Sequence, residues 1–322
     1  MVIKHLVLPG GGPHGMTDMG IINYCIKHNF IDRKNIKSIH ATSVGTFCAL
    51  MICFPDSIED FEDYVINSMM DKMFYIDPDN IVNIMQAKGL LVEDCFHNYL
   101  KPFFDVNNID LDITLKDFCT YCKKDLFLYA TRISDFSQVC LSNEDFPNMK
   151  LIDAIHASCA IPGIISPVVY DNELYIDGGT ICNYPLEECV NKENVDPSEV
   201  LGVRHVFPPP ESVLDINDFN IFGLIFYILS CVVNKFLNII TQEKNNKETK
   251  KKVEKATQIN MYIDAYLLTF NELMESFQNK EVRKKNVEKG YRFAKQHFEE
   301  QGMLEYIDND DEPELESTVE KL

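Results

Sequence analysis

Three short stretches of the 322-residue chain carry residue types able to do nucleophilic chemistry: Gly10-Gly11-Gly12-Pro13-His14-Gly15, Ala41-Thr42-Ser43-Val44-Gly45 and Asp177-Gly178-Gly179. In that order they offer unshielded backbone N–H groups, a hydroxyl and a carboxylate. A serine hydroxyl is a weak nucleophile at neutral pH. It needs a neighbouring base, and fixed donors for the oxyanion that develops on an attacked carbonyl. Ser43 is the candidate nucleophile and Asp177 the candidate base. The N–H groups of Gly10, Gly11, Gly12 and Val44 are the candidate oxyanion donors. Such a site belongs to a serine acyl hydrolase, and its scheme calls for no metal and no organic cofactor.

The elements that must position these residues are visible as hydrophobic patterns. A strand is expected over 2–8, ahead of the glycine loop, and a buried strand over 36–40. The apolar run VGTFCALMICF (44–54) reads as a helix that begins directly after Ser43. Ser43 then sits on the turn between strand and helix, which lifts its hydroxyl above the sheet edge. The same turn sets the Val44 N–H and the helix dipole beside the reacting carbonyl. Gly45 lets the chain pass close, and Gly15 closes the first loop. Leu174-Tyr175-Ile176 is strand-like and delivers Asp177 to a strand end, where Gly178 and Gly179 leave the turn unobstructed. Helices are expected over 17–28, 57–71, 90–104 and 151–157, with Pro78 and Pro102 as breaks. Strands are expected over 126–133, 139–141 and 200–207, a pattern that spells an α/β fold.

With these residues in view, the chain resembles the patatin-like phospholipases, which combine a glycine-rich oxyanion loop, a serine elbow and an aspartate turn. The likeness extends through ASCAIPGIISPVVYDNELYIDGGTICNYP (157–185) and covers about the first two hundred residues. It implies a three-layer α/β/α fold with a mixed, mostly parallel central sheet, to which this chain adds a helical C-terminal region. It also implies a Ser43–Asp177 dyad without histidine, Gly10, Gly11 and Gly12 as the oxyanion loop, and hydrolysis of lipid acyl esters of the phospholipase A type. Two positions depart from the family pattern. Ala41 stands where the elbow's first glycine is usual, and His14 where the loop often carries a basic side chain.

Other readings share some of these residues. Gly10, Gly12 and Gly15 fit a dinucleotide fingerprint, but the second strand ends in Ala41-Thr42-Ser43 where a ribose-binding acid is needed. A Walker loop needs Lys-Ser or Lys-Thr after its last glycine, and Gly15 is followed by Met16-Thr17. The order Ser43, Asp177, His205 is that of a Ser-His-Asp carboxylesterase, whose fold builds several strands before its nucleophile; here one strand-helix unit precedes it. A catalytically weak or inactive lipid-binding effector is the alternative outside enzymes that Ala41 and His14 permit.

Composition sets the surroundings. A hydrophobic share of 46% supplies a large core. The formal net charge of −20 argues against nucleic acid as partner. The eleven cysteines are scattered mostly inside apolar runs and read as buried thiols of a reducing, cytoplasmic compartment. Leu6-Val7-Leu8 stops at Pro9, too short for a signal peptide. Cys119 and Cys122 lack a second pair to complete a zinc site. Three units are expected: a catalytic domain over 1–207 closed by Pro208-Pro209-Pro210, a helical region over 208–303, and an acidic, disordered tail over 304–322. Within the middle unit, 219–240 reads as a nearly all-apolar helix and 259–277 and 282–298 as two more. The lysines at 244–255 follow the apolar helix, so 219–255 is a candidate for peripheral membrane contact.

Overall fold

The computed structural model describes residues 2–54, 58–68, 70, 94–192, 195–206, 259–264 and 270–302. Its centre is an eight-stranded sheet. The strands are β1 (His5–Leu8), β2 (Ser38–Thr42), β3 (Asp125–Arg132), β4 (Ser137–Ser142), β5 (Val168–Tyr170), β6 (Glu173–Asp177), β7 (Val200–Val206) and β8 (Ile259–Asp264). β1 and β2 are buried throughout, as strands with neighbours on both edges and layers on both faces must be. Side chains alternate between the two faces. Leu6 and Leu8 enter the main core, whereas Val7 enters a second one with Leu186, Cys189 and Val200. A core on each face makes the three layers.

β1 pairs in parallel with β2 and β7, β2 with β3, and β7 with β8. β3 carries the mixed part. β4 runs antiparallel along one edge of it, from Phe127 to Arg132. The other edge is shared: β2 occupies Asp125 to Tyr129, and β6, antiparallel, occupies Ala130 to Arg132. Thr42 faces Tyr129 and Asp177 faces Ala130, so the C-terminal ends of β2 and β6 meet head to head.

Helices flank the sheet: α1 (Gly15–Lys27), α2 (Gly45–Cys53), α3 (Ile58–Asn67), α4 (Asp94–Val106), α5 (Leu115–Cys122), α6 (Leu151–Cys159), α7 (Leu186–Lys192), α8 (Phe270–Gln278) and α9 (Lys280–Glu300). α9 crosses α1 at glycines from both sides. A methyl on Gly20 would lie 2.1 Å from the Val287 carbonyl oxygen, and one on Gly290 2.0 Å from that of Thr17. Phe298 near the end of α9 stacks on Phe30 at 3.7 Å. The buried Arg283 guanidinium donates to the carbonyls of Ile66, Ser68 and Phe277 at the ends of α3 and α8, the partners that helix C-termini lack internally.

Several sequence expectations change. The helix expected over 259–277 is instead a strand, β8, followed by α8. Ile259, Met261 and Ile263 alternate with period two, and that pattern merged with the apolar residues of α8 when read at helical period. β8 pairs with β7, so the sheet continues past the boundary expected at 207. Pro102 lies inside α4 and does not break it; burial of Phe96, Tyr99, Leu100, Phe103 and Phe104 outweighs the lost hydrogen bond. β5, α5 and α7 were not expected. The segments 219–240 and 304–322, and the lysines of 244–255, lie outside the described residues.

The α1–α9 crossing reverses a usual preference. Alanine is favoured over glycine in a helix by about 1 kcal/mol, yet Gly20→Ala is expected to destabilise the protein by about 1–3 kcal/mol through overpacking. Thermal denaturation checks this, and an unchanged or raised Tm would contradict the close crossing.

Candidate active site

Ser43 occupies the turn between β2 and α2 in the left-handed region, at φ 51°. Few non-glycine residues adopt that conformation, and it costs on the order of 1 kcal/mol or more. Local contacts hold it there. The Ser43 N–H donates to Ser158 Oγ at 2.9 Å, and the Ser158 hydroxyl donates onward to the Tyr129 carbonyl at 2.6 Å. On the far side of the turn, a methyl on Gly45 would lie 2.7 Å from the carbonyl oxygens of both Leu8 and Pro9. Glycine is therefore required at the last elbow position. At the first, the Ala41 methyl is fully buried in the main core, which explains why alanine is accommodated there.

The end-to-end strands bring the carboxylate to this turn. The Ser43 hydroxyl donates to Asp177 Oδ2 at 2.6 Å, and the Gly179 N–H donates to Oδ1 at 2.6 Å. The Asp177 backbone is tied by its N–H to the Ala160 carbonyl and by its carbonyl to the Thr131 hydroxyl. A methyl on Gly178 would lie 2.1 Å from the Tyr129 carbonyl oxygen, so the turn runs against β3. Burial raises the Asp177 carboxyl from its ordinary 3.8 to about 6, against the lowering effect of the Ser43 and Gly179 hydrogen bonds. That value suits a group that must accept a proton near neutrality.

The glycine loop lies across the elbow. A methyl on Gly10 would stand 3.0 Å from Ser43 Cβ, and one on Gly15 2.3 Å from a Val44 methyl. Gly12 is itself left-handed, at φ +53°. The Gly10 N–H donates to the Asn183 carbonyl at 3.0 Å, so it is engaged within the fold. The N–H groups of Gly11, Gly12 and Val44 have no partner among the described residues, and Val44 caps the N-terminus of α2, where the helix dipole favours negative charge.

His205 sits on β7 with both ring nitrogens committed elsewhere: Nε2 to Asp18 Oδ1 at 2.8 Å and Nδ1 to the Gly10 carbonyl oxygen at 3.2 Å. The hydroxyl of Ser43 is directed to Asp177, so the Ser-His-Asp arrangement considered from sequence is not the one found. Burial disfavours charge on His205, but the Asp18 carboxylate and the Gly10 carbonyl outweigh it and raise the imidazole pKa. His14 is buried and meets the His205 ring edge-on at 5.5 Å. No local pattern marks Ser158, Asn183 or Asp18, because each meets a partner far away in the chain: the Ser43 N–H, the Gly10 carbonyl and the His205 ring.

Ser43 and Gly12 line an apolar pocket. Met16, Met19, Phe47 and Ile161 line it, and α8 contributes Leu273 and Phe277. The C-terminal part of the chain therefore forms a wall of the site.

The fold and the paired serine and aspartate define a serine-aspartate site in a mixed α/β sheet. The sequence profile of the patatin-like phospholipases matches residues 6–190, more than half of the chain, and the chain belongs to that family. It is 30% identical over 188 residues to the uncharacterized protein R571 of Acanthamoeba polyphaga mimivirus, a match spanning 57% of this chain and 60% of that protein. It thus covers less than two thirds of that relative. It is 27% identical over 213 residues to 463L of Invertebrate iridescent virus 6, named as a probable lipid hydrolase, across 63% of this chain and 70% of the relative. Among solved structures, VipD from Legionella pneumophila is similar in fold, with a TM-score of 0.52, 16% identity, and coverage of 93% of this chain and 67% of VipD.

The raised Asp177 carboxyl has two measurable consequences. With Asp177 proposed as the base, only its ionised form accepts a proton, so kcat/KM is expected to rise with pH through about 6 and then level off. Folding also favours the protonated carboxyl. The resulting stability is fully present below pH 3.8 and is lost as pH rises through about 6. Asp177→Asn is therefore expected to abolish turnover and to stabilise the protein by about 2–3 kcal/mol at pH 7.5, with the gain vanishing near pH 4. Denaturant melts at the two pH values check the sign.

Proposed function

We propose that the protein hydrolyses lipid acyl esters, with phospholipids as the substrate class and release of a fatty acid as in phospholipase A. The observation that carries this reading is the 2.6 Å hydrogen bond from the Ser43 hydroxyl to Asp177, with Ser43 itself lining an apolar pocket. Ser43 Oγ attacks the ester carbonyl carbon while Asp177 takes the hydroxyl proton. The N–H groups of Gly11, Gly12 and Val44 receive the oxyanion, a contribution made mainly in the transition state. As the tetrahedral intermediate collapses, the alcohol leaves with the proton from Asp177, and the acyl chain lies along the cavity. Water activated by the same carboxylate then attacks the acyl-enzyme and releases the fatty acid. Membership of the patatin-like phospholipases supports this chemistry, as does the name of the iridescent-virus relative.

Labelling with a fluorophosphonate probe tests the proposal without choosing a substrate. Ser43 is the expected site of modification, and Ser43→Ala is expected to lose both labelling and esterase activity while keeping its fold and lipid binding. Near wild-type turnover in Ser43→Ala would place the nucleophile elsewhere; absence of labelling in the wild type would favour a lipid-binding protein without catalysis.

We extend the proposal to a membrane surface on the sequence of 219–255. Replacing Lys250, Lys251 and Lys252 by glutamate is expected to weaken binding to anionic vesicles, each lysine being worth about 1 kcal/mol near such a surface. Turnover of a soluble short-chain ester should survive. Unaltered vesicle binding would remove the segment from this role.

A further inference from the structure

The Gly10 residue is gripped on both of its backbone polar groups. Its N–H donates to the Asn183 carbonyl at 3.0 Å, and its carbonyl oxygen accepts from Asn183 Nδ2 at 2.9 Å and from His205 Nδ1 at 3.2 Å. The opposite nitrogen of His205 donates to Asp18 Oδ1 at 2.8 Å. A carbonyl and an ionised carboxylate only accept, so the geometry suits a ring that donates from both nitrogens, and the Asp18 carboxylate favours that charged form. The side chains of His205 and Asp18 are wholly enclosed, and Asp18 Oδ2 has no partner among the described residues. His205 therefore compensates the buried carboxylate while reaching the loop. A methyl on Gly11 would lie 2.4 Å from His205 Nδ1, so the ring also supports the loop from below.

The carbonyl of Gly10 and the N–H of Gly11 belong to one trans peptide unit and point in opposite directions. Between two glycines such a unit can rotate with little steric resistance. Rotated, it would present a carbonyl oxygen where an oxyanion must be received, and the site would repel its own transition state.

We infer that Asn183 and His205 form a clamp on the Gly10 carbonyl that locks the Gly10–Gly11 peptide in one orientation and so aims the Gly11 N–H at the oxyanion. Both are positioning residues, and Asp18 holds His205 in its doubly donating form. The inference rests on the proposed use of the glycine loop as an oxyanion hole.

The test uses the full-length protein with Asn183→Leu, His205→Gln and the double variant. It reads kcat and KM on p-nitrophenyl butyrate, affinity for a trifluoromethyl ketone that mimics the tetrahedral intermediate, Tm, and the crystal structure of the double variant. Each single variant is expected to lower kcat roughly tenfold, because one donor remains. The double variant is expected to lose about 10²–10³, the effect of removing one oxyanion donor, with KM within about twofold and ketone affinity falling in step with kcat/KM. Its Gly10 carbonyl should be rotated. A merely structural role would lower Tm without singling out the ketone. Unchanged kcat in a folded double variant, or an unmoved Gly10 carbonyl, overturns the clamp. Should the double variant fail to fold, Asn183→Leu, close to isosteric, decides: a kcat loss at constant KM is required. If the wild type neither turns over the ester nor labels at Ser43, the proposed activity fails, and the carbonyl orientation in the double variant still judges the clamp.

Discussion

Two strands of opposite direction share one edge of β3, and the site depends on where they meet. β2 runs parallel to β3 as far as Tyr129 and β6 runs antiparallel to it from Ala130 onward. Strand ends normally diverge into loops, but here backbone pairing with a common neighbour fixes two of them within one residue step. The hydroxyl after β2 and the carboxylate ending β6 are then brought together by the sheet itself, across 134 positions of sequence. Rigid elements position reacting groups better than loops do, and this junction uses ladder hydrogen bonds for that purpose. The Ser158 link between the Ser43 N–H and the Tyr129 carbonyl crosses the same junction from a third element, α6.

The junction carries unfavourable terms that its surroundings offset. Ser43 has a left-handed backbone and Asp177 a carboxyl whose charge is disfavoured by burial. Neither would persist in an isolated turn, since each costs on the order of 1 kcal/mol or more. The main core spreads over β1, β2, β3 and the helices α1 to α6. Its burial over-determines the backbone around both residues, the condition under which strained or desolvated groups survive at functional sites.

What was legible in the sequence follows from the range of the interactions involved. The elbow could be read because a buried strand, a serine and an apolar helix are contiguous. The aspartate turn could be read because Gly178 and Gly179 mark it locally. Six of the eight strands, all but β5 and β8, and the helix α1 were placed to within a few residues for the same reason. Pairings across long stretches left no local mark. Nothing near Gly10 shows that its N–H goes to Asn183, and nothing near His205 shows that it faces Asp18 rather than Ser43. β8 was misread because a six-residue strand with alternating apolar residues runs into an amphipathic helix, and a window spanning both fits the helical period. Pro102 was misread because its effect on a helix is local, while the burial of the α4 aromatics that outweighs it is tertiary.

The C-terminal segment reaches the glycine loop through a short series of rigid contacts. α9 meets α1 where a methyl on Gly290 would touch the Thr17 carbonyl, and the next residue along α1 is Asp18. Asp18 binds His205, and His205 binds the Gly10 carbonyl. A helix transmits a displacement along its axis with little deformation, and a close glycine crossing leaves no compliant side chain to absorb one. The seat of α9 on α1 and the depth of the glycine loop are thus set by one continuous stack of backbone and buried polar contacts. α8, which precedes α9 directly, lines the cavity with Leu273 and Phe277. The region after β8 therefore belongs to the site's architecture from two directions: it walls the apolar cavity and braces the helix on which the loop's anchor stands.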